Sequence, residues 1–442
     1  MFIRLKSIFQ LFFMPLALKT SSRLRYFTFF YLYLMQGIPA GFALTAIANY
    51  LVGKGVSSSS VGTFVSVVGL PWIMQFIWGP LIDRYQYSVI GHRKHWVVLT
   101  QVAAFLASLT LLFVKDPASQ LSLMSLVFFT HSIFASVQDA SVDAMAISLV
   151  PEQEKGRLNA FMRGGFLIGM SFGAAFLAYV LHKSGFHLAS LIQSVTLLLF
   201  TIITFFIKLE ETDPLLPSFS HKNMLPPDEK NPSVKKVFKD LWNAMTGKYS
   251  LQTFGIIALV YTCSSIFVRS YSYHLIHVLQ WPSHEVSILQ GSYGSIITLA
   301  VILAGGIIAD RIGAGKMQVK VMWSVALFLL LFNGIYVFWH LKSVATTGLL
   351  LWSLADPLFS VAAFPVLMNL CADHIEGSQF TAYMALINFC DVVGSYLTGW
   401  ALHVIAAPLL GFACGIIILT AIFILYRTQR QKILYARLEN SF

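Results

Sequence analysis

Runs of about 20 predominantly apolar residues recur along the chain, each as long as a helix must be to cross the hydrocarbon of a bilayer. Six fall at 26–52, 61–82, 95–114, 121–150, 158–181 and 187–207, and six more at 251–275, 286–309, 318–340, 348–371, 380–404 and 409–426. Inside lipid every backbone N–H and C=O must pair within the protein, which leaves helices or a closed barrel. Runs of this length with no period-two alternation select helices. Of the 442 residues 57% are hydrophobic and only 11% charged, against about a quarter charged in soluble domains. The expected fold is an all-α membrane protein with twelve transmembrane helices.

The twelve spans divide into two matching sets. Gly79-Pro-Leu-Ile-Asp83-Arg84 closes the second span, and Gly91, Arg93 and Lys94 follow before the third. The same pattern returns as Gly306-Ile-Ile-Ala-Asp310-Arg311, then Gly313 and Lys316. A carboxylate and cations packed between apolar spans belong at a membrane surface. A repeat at corresponding ends of two six-helix halves indicates duplication. A second echo aligns 156–173 with 377–394, in the fifth and eleventh spans. Gly79, Asp83, Arg84, Arg93, Lys94, Gly306, Asp310 and Arg311 are therefore the candidate gating residues.

The charge distribution orients the chain. Of the 30 Lys and Arg, 24 lie in the loops and tails of one side, four on the other, and Arg163 and Arg269 within spans. Cationic loops stay in the cytoplasm, so both termini are expected there. The expected divisions are a basic N-terminal segment 1–25, with 8–18 as an interfacial anchor too short to span, then a six-helix bundle 26–207. A Pro- and charge-rich linker 208–248 follows, with one amphipathic helix at 234–245, then a second bundle 249–427 and a tail 428–442. The linker reads as a tether.

The duplicated G-x3-D-R loop resembles that between the second and third helices of the major facilitator superfamily. Three stretches narrow the resemblance. The loop reads D-R-Y, five residues, then G-x-R-K-x-W, followed by Thr100-Gln101. The fourth span reads Ser136-Val-Gln138-Asp139, then Asp143-Ala144, and closes on Leu149-Val-Pro151-Glu152. The eleventh is approached through Met368-Asn-Leu-Cys371 and Ser378-Gln379-Phe380. Together they resemble AmpG-type permeases and their allies, the siderophore importers and acetyl-coenzyme A transporters. The resemblance implies two pseudo-symmetric bundles and alternating access. It also implies proton-driven import of an anhydro-muropeptide or another medium-sized polar solute through the inner membrane, with a siderophore importer or an exporter of the same fold as the alternative and a non-transporting membrane receptor or enzyme behind both. Two departures touch the cargo. The Lys-Leu-Gly-Asp run of related importers is absent after Tyr261, and the run Trp352-Ser-Leu-Ala-Asp356 takes the place where AmpG-type chains have a glutamate near the start of the tenth span. No proline follows Gly173 on the fifth span, unlike many drug-proton antiporters.

Charges inside spans are functional candidates, because unpaired charge in hydrocarbon is expensive. Asp139 and Asp143 are four residues apart and share a helical face. Counting ~1.5 Å per residue from Pro151 places them about 18 and 12 Å deep, with Arg163 at a depth matching Asp143. Asp143 and Arg163 form the expected charge pair. Asp139 has no cation at helical spacing and no evident partner. A buried carboxyl without a counter-charge favours its neutral form, which makes Asp139 the first candidate for proton coupling, with His131 second. The superfamily lines its cavity with the first, fourth, seventh and tenth spans. Gln36, Gln138, Arg269, Asp356 and Asp391 are the substrate-cavity candidates, Arg269 and Asp356 serving either a substrate or an outer-gate ion pair. Gly165, Gly169 and Gly173 recur every fourth residue and allow close helix approach. The aromatic residues are expected mainly at lipid-facing and interfacial positions.

Other classes leave no trace. There is no Walker loop, no H-E-x-x-H and no C-x-x-C, and Cys263, Cys371, Cys390 and Cys414 lie singly in apolar runs. No catalytic residue, metal site or cofactor is expected, so the chain is not read as an enzyme. The expected partners are a small-molecule substrate, protons and the lipid bilayer, with no nucleic acid, and the protein is expected to be a monomer. The net charge of +11 belongs to the loop asymmetry.

Overall fold

The computed structural model describes residues 17–86, 88, 90–211, 213, 233–281, 285–286, 289 and 294–439. Most of the expected N-terminal anchor, much of the linker and part of the eighth span lie outside them. The described residues are helical apart from turns, loops and one isolated parallel bridge between Ala17 and Lys208. Among the described residues eleven helices are long and apolar enough to cross a membrane. The remaining expected span is represented by the helix Gly294–Ile312.

The chain divides into two compact units. The first comprises Met1–Glu152, Phe161–Leu241 and Ala372–Thr381, and the second Gln153–Ala160, Trp242–Cys371 and Ala382–Phe442. Each unit thus takes one short helix-starting segment from the chain that mostly forms the other.

In the first unit α1 is Ser22–Gly41, which runs on through a π-helical turn Phe42–Ile47. Helix α2, Ser58–Ile73, tightens into a 3-10 turn Gln75–Ile77 before α3, Trp78–Arg84. Pro71 and Pro80 withdraw two backbone donors from this stretch, which breaks the regular ladder between them. Helix α4 is Lys94–Leu109, α5 Leu121–Leu149, α6 Lys155–Ser184 and α7 Phe186–Phe206; α8, Val234–Thr246, passes from this unit into the second after Leu241. The glycine stripe of α6 lies against α1. A Cβ on Gly165, Gly169 or Gly173 would come within 2.2, 2.2 and 2.0 Å of the carbonyl oxygens of Phe30, Leu34 and Ile38. Backbone approach this close excludes any side chain there.

In the second unit α9 is Lys248–Tyr273, α10 Gly294–Ile312, α11 Ala314–Gly334, α12 Lys342–Trp352, α13 Ala355–Met368, α14 Glu376–Ala401 and α15 Ala407–Glu439. The first turn of α14 and that of α6 are the exchanged segments. The aromatic residues here depart from the lipid-facing expectation. Phe267, Tyr271, Phe332, Trp339 and Trp352 are buried together, with Phe267 and Trp352 centroids 4.5 Å apart and Tyr271 and Trp339 4.8 Å apart. Edge-to-face geometry of this kind adds to the burial of area.

Candidate functional site

The two copies of the G-x3-D-R motif make the same construction. In the first copy Asp83, at the end of α3, is fully buried. Its Oδ2 accepts the Ser378 N–H at 2.6 Å and the Ser378 hydroxyl at 2.7 Å, and its Oδ1 accepts the Gly377 N–H at 3.2 Å. The carboxylate thus satisfies free donors in the first turn of α14, where the helix dipole favours negative charge. Arg93 completes the cluster. Its Nη2 donates to Asp83 Oδ1 at 3.0 Å and to Glu376 Oε2 at 2.6 Å, and its Nη1 to the Ala144 carbonyl at 3.0 Å. Gly79 lets α14 start this close, since a Cβ there would lie 2.5 Å from Ser378 Cα.

In the second copy Asp310, near the end of α10, accepts the Gly156 N–H at 2.8 Å and the Arg157 N–H at 3.1 Å, and Arg157 Nε donates to it at 2.6 Å. Those are the first residues of α6. Gly306 faces Ala160, whose Cβ would be 2.4 Å from a Cβ added at Gly306. The motif is therefore a helix-start receptor, in which the glycine clears space and the aspartate caps. The sequence echo between 156–173 and 377–394 marks the two helix starts received. Glu376, Gly377, Ser378, Gly156 and Arg157 complete the two receptors without having been singled out as site residues.

The remaining gating candidates do different things. Lys94 donates to the Phe205 and Ile207 carbonyls, so it caps the C-terminus of α7, where a cation suits the dipole. The Arg84 guanidinium lies 5.1 Å over the Tyr85 ring. Arg311 is exposed at the end of α10. In the loop before α4, His92 Nε2 lies 2.9 Å from Gln86 Oε1, which only accepts, so Nε2 carries the hydrogen. Burial and the neighbouring Arg93 charge push the His92 pKa down to about 3.

The buried carboxylates of α5 form the second cluster. Asp143 accepts the Tyr33 hydroxyl of α1. Asp139 has a partner that helical spacing could not reveal: Gln75 Nε2 donates to its Oδ2 at 2.7 Å. The 3-10 turn between α2 and α3 aims Gln75 at α5. Arg163 of α6 attracts both carboxylates electrostatically. Tyr33, Gln75, Asp139, Asp143 and Arg163 thus belong to one buried polar group, in which Arg163 acts on both carboxylates.

A small cavity of about 30 Å³ opens beside this group, lined by Gln36, Trp72, Phe128, His131 and Ser132 among others. Gln36 is 4% exposed; its carboxamide nitrogen is within hydrogen-bonding reach of Asp139, while its oxygen has no partner among the described residues. Buried polar atoms are rarely left unmade, because each costs about 1–3 kcal/mol. His131 Nδ1 sits 3.1 Å from the Ala104 carbonyl, which assigns the hydrogen to Nδ1 and leaves Nε2 as the basic nitrogen. Gln138 is buried, and its amide nitrogen has no partner among the described residues.

In the second unit Arg269 pairs with Asp391 and not with Asp356. Arg269 Nη1 and Nη2 contact Asp391 Oδ1 and Oδ2 at 2.9 and 2.8 Å, and Ser265 Oγ donates to Oδ1 at 2.9 Å. The bidentate fork fixes both side chains, which join α9 to α14. Asp356 lies exposed in the first turn of α13, a favourable place for a carboxylate.

This fold, with a paired helix-start receptor and buried carboxylates on a span, defines a multi-pass membrane protein of transporter type. Residues 26–398 match the model of the Major Facilitator Superfamily, and the chain belongs to that family. It is 23% identical over 355 residues to the anhydromuropeptide permease of Escherichia coli (strain K12), a match covering 80% of this chain and 65% of the permease. The chain thus spans about two thirds of that relative's length. It is also 23% identical over 288 residues to a Rickettsia prowazekii (strain Madrid E) protein named as transporter AmpG 3, covering 63% of this chain and 67% of the relative. A bacterial homologue of the iron transporter ferroportin superposes with TM-score 0.65 at 15% identity, over 93% of this chain and 100% of that one. The human organic anion transporter MFSD10 superposes with TM-score 0.63 at 14% identity, over 91% and 99%. At these identities the superpositions speak to the fold alone. The relatives are permeases and transporters rather than enzymes.

Proposed function

We propose that the chain is a proton-coupled importer of a medium-sized polar solute, an anhydro-muropeptide by its similarity to the permease. It works in the cytoplasmic (inner) membrane with both termini in the cytoplasm. The observation that carries this reading is Gln36, a buried carboxamide with its acceptor oxygen unmet, on the wall of a cavity and beside Asp139. A ligand N–H or O–H meets the need of the Gln36 oxygen, and Trp72 and Phe128 offer apolar faces to sugar rings or alkyl groups. Asp139 takes the proton in this reading, because Asp139 and Asp143 share the cation Arg163, so that one of two buried carboxyls lacks a counter-charge of its own. His131, with Nε2 as its basic nitrogen, is the second proton site.

Transport then runs by alternating access. Asp83 and Asp310 hold the first turns of α14 and α6 in one state and release them in the other. Arg269 and Asp391, with Asp356 and Gln138, contribute to substrate passage. The test is uptake of labelled anhydro-muropeptide by proteoliposomes with an imposed inward pH gradient. Accumulation that vanishes with a protonophore is expected. Uptake that ignores the gradient overturns the coupling, and binding of another cargo, such as a siderophore, without any muropeptide uptake overturns the substrate.

A further inference from the structure

Helix α8, Val234–Thr246, lies in the linker that the sequence reads as a tether. Its side chains sort into three sectors at ~100° per residue. Val237 is fully buried, and Asp240 next to it on the wheel sits 3.5 Å from His374 Nε2. That sector faces protein. About a quarter-turn round, Val234, Phe238 and Trp242 form an apolar arc, and they are 36, 48 and 70% exposed. Lys235, Lys236, Lys239 and Asn243 occupy the third sector, all exposed. A helix held in place on one side but leaving Phe and Trp open on the next is not accounted for by a tether.

What covers the apolar arc follows from its neighbours. Only Gly247 separates α8 from α9, and α9 begins a candidate membrane span at Lys248. The end of α8 therefore lies at the edge of a bilayer. Tyr249 and Leu251, at the foot of that span, are 54 and 59% exposed, and Trp and Tyr gather at the headgroup level. Lys235 and Lys239 border the apolar arc on its outer side, and their stems can lie along it while the ammonium groups reach outward. Apolar side chains next to lysines, beside a span, match acyl chains beneath anionic phosphates.

We propose that α8 is an interfacial helix that binds the anionic headgroup layer of the bilayer the chain crosses. Phe238 and Trp242 enter the acyl boundary, and Lys235 and Lys239 pair with lipid phosphates. The linker is then fixed to the membrane plane along one face and to the protein along another.

The test uses full-length protein in nanodiscs of phosphatidylcholine with or without phosphatidylglycerol. Cys263, Cys371, Cys390 and Cys414 are replaced by serine, and an environment-sensitive fluorophore is attached to Phe238→Cys or, separately, to Asn243→Cys. The label at 238 should be blue-shifted and quenched by spin-labelled acyl chains, more strongly with phosphatidylglycerol, and the label at 243 should not. Replacing Lys235 and Lys239 by Gln should remove the phosphatidylglycerol increment. Equal, water-like emission at both positions would overturn the proposal, as would quenching indifferent to phosphatidylglycerol. The unmodified protein supplies a second readout. Trypsin should cut after Lys235 and Lys239 several-fold more slowly in phosphatidylglycerol nanodiscs, and equal rates would contradict the anionic contact. A soluble protein seated on the arc would instead protect α8 only when cytosol is added, which also overturns it.

Discussion

The Asp83 carboxylate accepts both the backbone N–H and the hydroxyl of Ser378, at 2.6 and 2.7 Å, across 295 residues of sequence. One buried side chain thus caps a helix that starts far down the chain. Asp310 does the same for Gly156 and Arg157.

If these caps are part of a gate, Asp83→Asn weakens the held state without unfolding the protein. The amide keeps one acceptor but loses its charge, and each charge-assisted bond is worth about 1.5–3 kcal/mol. Uptake should fall at least tenfold while the detergent-solubilised protein still runs as a single species on size exclusion. Gly377→Ala is a sharper version, since a Cβ there would sit 2.8 Å from Asp83 Oδ1. Full uptake in both variants would remove the gate from the account.

The Asp143–Arg163 relationship is tested by a double-mutant cycle. A single buried charge left without its partner costs about 3–5 kcal/mol. Asp143→Asn and Arg163→Gln should each lower thermal stability more than the pair of changes together. Additive losses would mean that the two residues do not interact. Tyr33→Phe, which removes the hydroxyl that Asp143 accepts, should fall between the single and double variants.

His92 should make the protein's stability acid-sensitive. Its pKa drops from 6.5 to about 3 on folding, through burial and Arg93. Between those values the unfolded chain binds the proton and the folded chain does not, so stability falls as pH falls. His92's contribution is intact above about 6.5 and is lost progressively towards 3. His92→Asn should lose less thermal stability than the unmutated protein on going from neutral to acidic buffer. An identical pH dependence in both would assign the acid sensitivity elsewhere.

Much of this was legible in the sequence because the bilayer imposes length and composition on every span. The positions of Asp83, Asp310 and the α5 carboxylates stand out since charge is rare in such runs. Their partners are less legible. Ser378 and Glu376 lie nearly 300 residues from Asp83, and only the echo of 156–173 in 377–394 hints that two helix starts play matching parts. Gln75 meets Asp139 because two prolines break the helix between them, which spacing on one helix cannot express. Arg269 meets Asp391 rather than Asp356 because α9 and α14 touch there, a matter of packing that no local pattern records. The buried aromatic cluster around Phe267 was hidden for the same reason, since an aromatic residue in an apolar run reads alike whether it faces lipid or protein.

The central claim is that Asp139 carries the coupled proton, and Asp139→Asn tests it most directly. The substitution mimics the protonated carboxyl and keeps a group that Gln75 can bond. In proteoliposomes preloaded with unlabelled cargo, the variant should exchange labelled cargo at a rate close to that of the unmutated protein. It should also fail to concentrate cargo when an inward pH gradient is imposed. Concentration of cargo by Asp139→Asn to the level reached by the unmutated protein would contradict proton coupling at this residue.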